Sequence, residues 1–417
     1  MQHRMTSAPL PDRRLAPRPL PAHLTSAAGL WLSSQIALPC LRSGLLPSSK
    51  AASRAADRLR ALAAEIDAFG RDQVAAALAT EIVRRTADYL AGLEAYRRHP
   101  YRRPETAAPV IWREGATQLL DYGRDDAAPA VLVVPSLINR YYVLDLLSER
   151  SFLRHLASRG LRPLVIDWGS PDAAEIGLDL AGYVDRLDRA FAFAAQSAGK
   201  PRAVIGYCMG GLLALALAMR RQRRLACLAL LATPWDFHAE RVAQGHLLGL
   251  FGDCLPAPES SAATVPVDIV QSLFFLLDPF LAERKFVRFA GLDPASEEAR
   301  DFVALEDWIN DGVPLPLAVA RECLRSWYGD NAPGHGAWRV HGLTVQPQQL
   351  RRPALVVIPG RDRIVPPGSA EPLAAAIPKA EVLRPPLGHV GMMSAARAPD
   401  MLWTPLAHWL RAQLGQA

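Results

Sequence analysis

The sequence predicts an α/β fold built on a mostly parallel, doubly wound sheet. Uninterrupted apolar runs at 130–134, 203–205, 225–232 and 354–358 have the composition of strands that are buried on both faces. Helical patterns lie between most of these runs, as crossover connections between parallel strands require. The clearest is 179–195, where apolar side chains recur on one helical face.

The strand predicted at 203–205 leads directly into the turn Gly206-Tyr207-Cys208-Met209-Gly210, and a Leu/Ala-rich helical pattern follows. Between a strand and a helix, the pattern G-x-C-x-G indicates a nucleophile elbow, whose central side chain projects from the end of the sheet. Glycine suits the flanking positions because a Cβ there would collide with neighbouring elements. Cys208 is therefore the candidate nucleophile. The alternative is that Cys208 is a small buried thiol, a common fate of free cysteine.

A cysteine in such a turn has a defined chemistry. Its thiolate is the nucleophile, and a nearby histidine or the following helix N-terminus would lower its pKa. The N–H of Met209 is placed to donate to an oxyanion, and Leu137 or Ile138, after the strand predicted at 130–134, could supply a second N–H. An acyl group on sulfur remains an activated thioester, so cysteine favours acyl transfer over simple hydrolysis.

Cys208, Asp362 and His389 follow one another in the order nucleophile, acid, base, each just beyond a predicted strand. This is the chain order of the α/β-hydrolase fold. His389 would take the thiol proton, and Asp362 would hold the imidazole in the required tautomer and stabilise its charge.

Other residues compete for these two roles. Among the ten histidines, His335 and His341 lie in or near a predicted cap, and His238 comes too early in the chain to be the base. Asp362 could also be a solvated turn residue, in which case Asp236 and Asp330 remain alternative acids.

Composition shifts predict five segments. A Pro/Arg-rich arm at 1–26 should be disordered. An Ala-rich region at 27–108 should be helical, and its apolar stretch 27–46 is broken by Pro39 and Arg42, so we expect a surface helix rather than a membrane span. The first part of the α/β-hydrolase core then covers 109–237, an aromatic-rich cap insertion covers 238–346, and the second part of the core covers 347–417.

The charge and cysteine content narrow the function classes. The net charge is +6 over 417 residues, and the arginines are scattered. We therefore expect solvated basic faces, with attraction for an anionic substrate such as a coenzyme A thioester, rather than nucleic-acid binding. The five cysteines are odd in number and show no C-x-x-C spacing, so neither a disulfide framework nor a zinc site is indicated. A reducing cytoplasm fits best.

Several further motifs extend the pattern across much of the chain. They are L-I-N-R-Y-Y-V-L-D-L at 137–146, D-W-G-S-P at 167–171, G-Y-C-M-G-G at 206–211, T-P-W-D-F at 233–237, E-D-W-I-N-D at 306–311, D-R-I-V-P-P at 362–367 and G-H-V-G at 388–391. On these motifs, the sequence from about Trp112 to Leu410 resembles the polyhydroxyalkanoate synthases, particularly the class III catalytic subunit.

The resemblance implies a 3-hydroxyacyl-CoA substrate, a polyester product and release of CoA, with no metal or other cofactor. Cys208 would carry the growing chain as a thioester, His389 would activate it, and Asp362 matches the aspartate thought to help activate the substrate hydroxyl. A homodimer is usual for the family. A partner synthase subunit and association with polyester granules stay open.

Two features depart from the family pattern. Arg363 stands where the family often has histidine, and the N-terminal arm is longer than expected for a class III catalytic subunit. The main alternative is a hydrolase on the same scaffold, either an acyl-CoA thioesterase or a polyester depolymerase. A non-catalytic scaffolding protein at the granule surface is a third class, which would have no use for the Cys/Asp/His set.

Overall fold

The computed structural model describes residues 14, 17–40, 52–104, 108–123, 125, 127–173, 175–197, 202–240, 242–256 and 264–415. The chain divides into two compact units. One comprises 1–102 and 271–310, and the other comprises 103–270 and 311–417. Within the described ranges, every helix is too short or too polar to span a bilayer.

Twelve strands lie in the described residues. They are β1 (Val110–Glu114), β2 (Thr117–Asp121), β3 (Ala130–Val134), β4 (Arg162–Asp167), β5 (Arg202–Tyr207), β6 (Leu225–Leu231), β7 (Thr264–Val265), β8 (Leu315–Pro316), β9 (Arg339–Val340), β10 (Leu343–Thr344), β11 (Ala354–Val357) and β12 (Glu381–Leu383). Eight of them form one sheet in the order β1-β2-β4-β3-β5-β6-β11-β12. The pairs β7/β8 and β9/β10 are short antiparallel ribbons.

The described helices, in chain order, are α1 (Leu20–Cys40), α2 (Ala52–Phe69), α3 (Arg71–Arg98), α4 (Phe152–Ser158), α5 (Leu180–Ser197), α6 (Met209–Arg221), α7 (Val242–Cys254), α8 (Val267–Phe275), α9 (Leu281–Ala290), α10 (Glu297–Asn310), α11 (Leu317–Glu322), α12 (Pro367–Ala376), α13 (Gly391–Ser394) and α14 (Thr404–Gln413). A 3-10 turn covers Tyr141–Asp145, and π-helical turns cover Cys323–Gly329 and Pro399–Trp403.

The register of the sheet brings the ends of four strands to one edge. The hairpin β1/β2 is antiparallel, β2 pairs antiparallel with β4, and the remaining strands of this sheet, β4, β3, β5, β6, β11 and β12, run parallel. Tyr207 at the end of β5 pairs with Leu231 of β6, which pairs with Val357 of β11, which pairs with Leu383 of β12. The loops that follow β5, β11 and β12 therefore start side by side, as the carboxyl ends of parallel strands do.

The core of the sheet-bearing unit explains why these residues form buried strands. All five residues of β3 are buried, and so are all four residues of β11. The following helix α6 is buried from Met209 to Ala218, because the sheet covers one side and other helices cover the rest. Continuous apolar runs are the pattern that such two-sided burial requires.

The helical unit has a separate core. Trp31 of α1, Tyr89 and Tyr96 of α3, and Phe286 and Phe289 of α9 are buried against one another. A Cβ at Gly92 would collide with the main-chain carbonyl group of Phe286, so a glycine lets α3 and α9 approach closely.

The boundaries of the two compact units differ from the segment boundaries predicted from composition. Residues 271–310, inside the predicted cap insertion, belong to the same unit as the N-terminal helices. Helix α1 begins at Leu20, inside the arm predicted to be disordered, because Leu20, Leu24 and Ala27 pack on this core at helical spacing. Residues 1–13, 15–16, 41–51, 105–107, 241 and 257–263 of these predicted segments lie outside the described residues.

Candidate active site

The turn between β5 and α6 holds Cys208 in an unusual conformation. Cys208 has φ 55° and ψ −127°, a region that side-chain-bearing residues rarely adopt. A Cβ at Gly206 would collide with Gly211, and a Cβ at Gly210 would collide with the carbonyl oxygen of Val134. The geometry is that of a nucleophile elbow, with a half-buried cysteine at its tip.

The other described cysteines are in different settings. Cys227 is buried in β6, and burial raises the pKa of its thiol to about 12. Cys323 is likewise buried, and burial raises the pKa of its thiol well above the ordinary value. Cys254 is exposed. The inert buried thiol considered for Cys208 is thus the situation of Cys227 and Cys323 instead.

His389 and Asp362 meet beside the elbow. Nδ1 of His389 lies 2.7 Å from Oδ2 of Asp362, and both residues are buried. The other carboxylate oxygen accepts the N–H groups of Ile364 and Val365, each at 2.8 Å. Both oxygens of Asp362 are therefore engaged, and its orientation is set by its own turn.

Cys208 and Asp362 together control the charge of His389. Burial alone would lower the pKa of the imidazole, but the charge on the Cys208 sulfur and hydrogen bonds with Asp362 and Cys208 raise it to about 10. The cation is thereby favoured over the neutral ring at neutral pH. A thiolate beside an imidazolium is the reactive pair that nucleophilic cysteine chemistry requires.

Tyr207 supports the histidine, although no sequence motif assigns it a role. Its ring centroid lies 5.3 Å from that of His389 with an interplanar angle of 31°, and its hydroxyl donates to the His389 carbonyl oxygen at 3.3 Å. Its position directly before Cys208 in the elbow motif is the only sequence signal that could have pointed to it.

The two predicted oxyanion donors lie on adjacent elements. Met209 is the first residue of α6, and Gly210 in the same turn closely approaches the carbonyl groups of Val134 and Pro135, from which the loop to Leu137 starts. The alternative donor Ile138 already gives its N–H to Oγ of Ser136 at 3.3 Å. Among the described residues, the N–H groups of Met209 and Leu137 donate to no protein acceptor.

The competing acids and bases have other partners. Oδ1 of Asp236 accepts the His238 N–H at 2.9 Å and Nδ2 of Asn331 at 2.8 Å. His341 pairs with Asp185 at 2.7 Å between Nε2 and Oδ2. Nδ1 of His335 contacts the main-chain carbonyl oxygen of Asp330 at 3.0 Å.

The chain belongs to the alpha/beta hydrolase fold family, whose model matches residues 129–396. The eight-stranded, mostly parallel sheet agrees with this assignment, and the predicted fold class is confirmed.

The most informative relatives are polymerases. The chain is similar to the poly(3-hydroxyalkanoate) polymerase subunit PhaC of Haloferax mediterranei, with 27% identity over 319 residues, which cover 73% of this chain and 64% of that protein. The PhaC subunit of Allochromatium vinosum is 25% identical over 313 residues, which cover 72% of this chain and 87% of that protein. The PhaC subunit of Cupriavidus necator is 35% identical over 142 residues, which cover 32% of this chain and 24% of that protein. The resemblance predicted from the motifs is confirmed.

Proposed function

We propose that the protein is an acyltransferase that polymerises 3-hydroxyacyl-CoA into a polyester, with release of CoA, through a covalent thioester on Cys208. The observation that carries the proposal is the half-buried Cys208 at the elbow beside the buried His389–Asp362 pair. Similarity to poly(3-hydroxyalkanoate) polymerases of three organisms supports the choice of substrate class.

The first half of the cycle loads the enzyme. The Cys208 sulfur attacks the thioester carbonyl carbon, and the N–H groups of Met209 and Leu137 stabilise the negative charge on the oxygen. The bond between that carbon and the CoA sulfur then breaks, and the departing sulfur takes the proton held by His389. The acyl group is now on Cys208, the imidazole is neutral, and the exchange of one thioester for another is close to balanced in free energy.

The second half extends the chain. The 3-hydroxyl of another hydroxyacyl-CoA attacks the acyl-Cys208 carbonyl, and neutral His389 accepts the hydroxyl proton, with Asp362 stabilising the resulting cation. The bond to Cys208 breaks, an oxoester forms, and the imidazolium–thiolate pair is restored. Reloading of the lengthened CoA ester onto Cys208 completes the cycle.

The alternative is hydrolysis on the same site, in which water replaces the hydroxyl nucleophile. A serine at the elbow would hold the chain as a stable oxoester, whereas the Cys208 thioester stays activated toward an alcohol. The use of sulfur therefore favours transfer over hydrolysis. A thioesterase or a polyester depolymerase would share the loading step and differ only in its product.

Analysis of the reaction products decides between polymerisation and hydrolysis. Purified protein is incubated with 3-hydroxybutyryl-CoA, CoA release is measured, and polymer is separated from free acid, with Cys208→Ala as the control. Polymer formed by the wild type and lost in the variant is the expected result. Free acid without polymer would replace the proposal with a thioesterase, and CoA release retained by Cys208→Ala would contradict a role for this cysteine.

Two finer proposals concern assembly, namely association of the protein with polyester granules and formation of a homodimer. The same reaction tests the first. An aliphatic polyester is insoluble in water, so a chain that stays bound to Cys208 should carry the protein into the sedimenting product. A protein that polymerises yet stays in the supernatant would contradict granule association.

A separate measurement, light scattering of the protein before substrate addition, shows whether the protein is a homodimer, as is usual in the family it resembles.

A further inference from the structure

The loop that carries Leu137 is held at both ends by hydrogen bonds. At its start, the indole Nε1 of Trp168 donates to the carbonyl oxygen of Pro135 at 3.1 Å. Further along, the carbonyl oxygen of Ile138 accepts the N–H of Val313 at 2.8 Å. Asn139 forms an antiparallel bridge with Gly312. The loop is thus attached to the segment 311–313.

Side-chain contacts also hold the segment 311–313 against the loop. Nε of Arg140 lies 3.6 Å from Oδ1 of Asp311, and another nitrogen of the same guanidinium donates to Oγ of Ser170 at 2.7 Å. The Tyr142 hydroxyl donates to Oδ2 of Asp311 at 3.0 Å, and the guanidinium of Arg103 lies 4.4 Å from the centre of the Tyr142 ring. Asp311 therefore contacts both Arg140 and Tyr142. Arg140 directly precedes the 3-10 turn, and Tyr142 lies within its first residues.

The peptide groups of Ile138 and Leu137 differ in their hydrogen bonding. The N–H of Ile138 is used by Ser136, and its carbonyl oxygen is used by Val313. Within the described part of the chain, the N–H of Leu137 has no protein acceptor, although the residue is buried. A buried amide without an acceptor is uncommon unless a ligand supplies one. The orientation of this peptide group depends on the residues that hold the loop on either side.

We infer that Arg140 and Asp311 are positioning residues, which hold the loop so that the Leu137 N–H faces the carbonyl oxygen of an acyl group on Cys208. The inference rests on the proposed function only for the acylation of Cys208, and not for the identity of the natural acyl donor. The side chains of Arg140 and Asp311 are 27% and 47% exposed, so their ion pair contributes little to global stability. Its effect is local, and small displacements of an oxyanion donor have large effects on rate.

The test compares two reactions of the same sulfur. Alkylation of Cys208 by iodoacetamide forms no oxyanion, whereas acylation by p-nitrophenyl acetate does. In Asp311→Asn and in Arg140→Gln, we expect the single-turnover acylation rate to fall by about tenfold or more and the alkylation rate to stay within about twofold of the wild type. Mass spectrometry of the Cys208 peptide follows both reactions and separates them from modification of the exposed Cys254.

Asp188→Asn is the matched control, because Asp188 pairs with Arg221 at 2.6 Å on helices of the same unit and lies in neither the loop nor the site. It should leave both rates unchanged. Acylation that stays at the wild-type rate in Asp311→Asn and Arg140→Gln would overturn the inference, and so would a parallel fall in alkylation, which would indicate damage to the nucleophile instead.

A second donor separates this inference from the proposed function. If 3-hydroxybutyryl-CoA fails to acylate the wild type while p-nitrophenyl acetate succeeds, the proposed substrate is wrong, and the comparison of variants still decides the role of Asp311. A loss restricted to the CoA donor, with normal acylation by p-nitrophenyl acetate, would overturn the positioning role and assign Arg140 to binding of the anionic substrate.

Discussion

Asp362 holds His389 through a 2.7 Å hydrogen bond between Oδ2 and Nδ1. Because the Nδ1–H donates to Asp362, the other ring nitrogen is left for the Cys208 sulfur, whose charge and hydrogen bonding raise the pKa of the imidazole. The second carboxylate oxygen is occupied by two main-chain amides, so the carboxylate has little freedom to turn away. The pair therefore sets both the tautomer and the direction of the imidazole.

Replacing Asp362 with Asn should distinguish the effect of its negative charge on His389 from the effect of the space that its side chain fills. The amide keeps the size of the side chain but loses the charge that stabilises the imidazolium. We expect CoA release to fall by about ten-thousandfold, in line with the loss of the orienting acid in serine enzymes with such a triad. Asp185→Asn is the control, since it alters the half-exposed pair with His341 and should keep wild-type activity. Similar losses in both variants would contradict a special role for Asp362.

The protonation of His389 can be measured directly. In the wild type, we expect imidazole signals in nuclear magnetic resonance to titrate with a pKa of about 10. Cys208→Ala removes the negative charge that raises the pKa, whereas burial, which lowers it, stays. The pKa should therefore move down, and in Cys208→Ala combined with Asp362→Asn it should drop below the ordinary value of about 6.5. A His389 pKa that does not change in Cys208→Ala would show that the ring is not coupled to the sulfur.

Local patterns make much of the site predictable from the sequence. The elbow motif depends on neighbours within a few residues, and the order of Cys208, Asp362 and His389 follows from the order of buried strands. Once the strands are parallel and adjacent, the three loops must lie at one edge. Continuous apolar runs identify the buried strands β3 and β11, whereas β1 and β12 are partly exposed and carry a weaker signal.

The parts that the sequence does not predict depend on contacts between distant residues. Residues 271–310 share a core with helices that precede them by about two hundred positions, and no periodicity encodes that pairing of Phe286 with Tyr89 and Tyr96. The choice between Leu137 and Ile138 depends on two hydrogen bonds of Ile138, whose N–H donates to Ser136 and whose carbonyl oxygen accepts from Val313. Aromatic composition indicates a core, but it does not say which partner completes it.

The backbone conformation of Cys208 predicts a conflict between stability and activity. With φ at 55° and ψ at −127°, a Cβ is unfavourable at this position, and glycine would relieve it. Cys208→Gly should therefore be more stable than Cys208→Ala by about 1 kcal/mol, although both variants lack the proposed nucleophile. Urea denaturation of the two variants measures the difference directly. A Gly variant that is less stable than the Ala variant would contradict backbone strain at the elbow.

Gly210 should be sensitive to a single added methyl group. A Cβ there would meet the carbonyl groups of Val134 and Pro135, which are main-chain atoms that cannot turn aside. Gly210→Ala is expected to destabilise the protein by about 2 kcal/mol and to slow acylation of Cys208, because it pushes α6 away from the loop to Leu137. Gly177→Ala is the control, since no atom lies within 4 Å of the added carbon. Thermal unfolding and the p-nitrophenyl acetate burst give the two readings.

The helical unit can be tested independently of the chemistry. Phe286 is fully buried in α9 and contacts the rings of Tyr89, Tyr96 and Phe302. Phe286→Ala removes a large buried ring and should cost about 3 to 5 kcal/mol of stability in this unit. Hydrogen exchange should then lose protection in α3 and α9 together, because the two helices share one core. Phe69→Ala is the control, since Phe69 is 77% exposed and its removal leaves no cavity. Faster exchange in α9 with unchanged protection in α3 would show that the two helices do not form one cooperative unit.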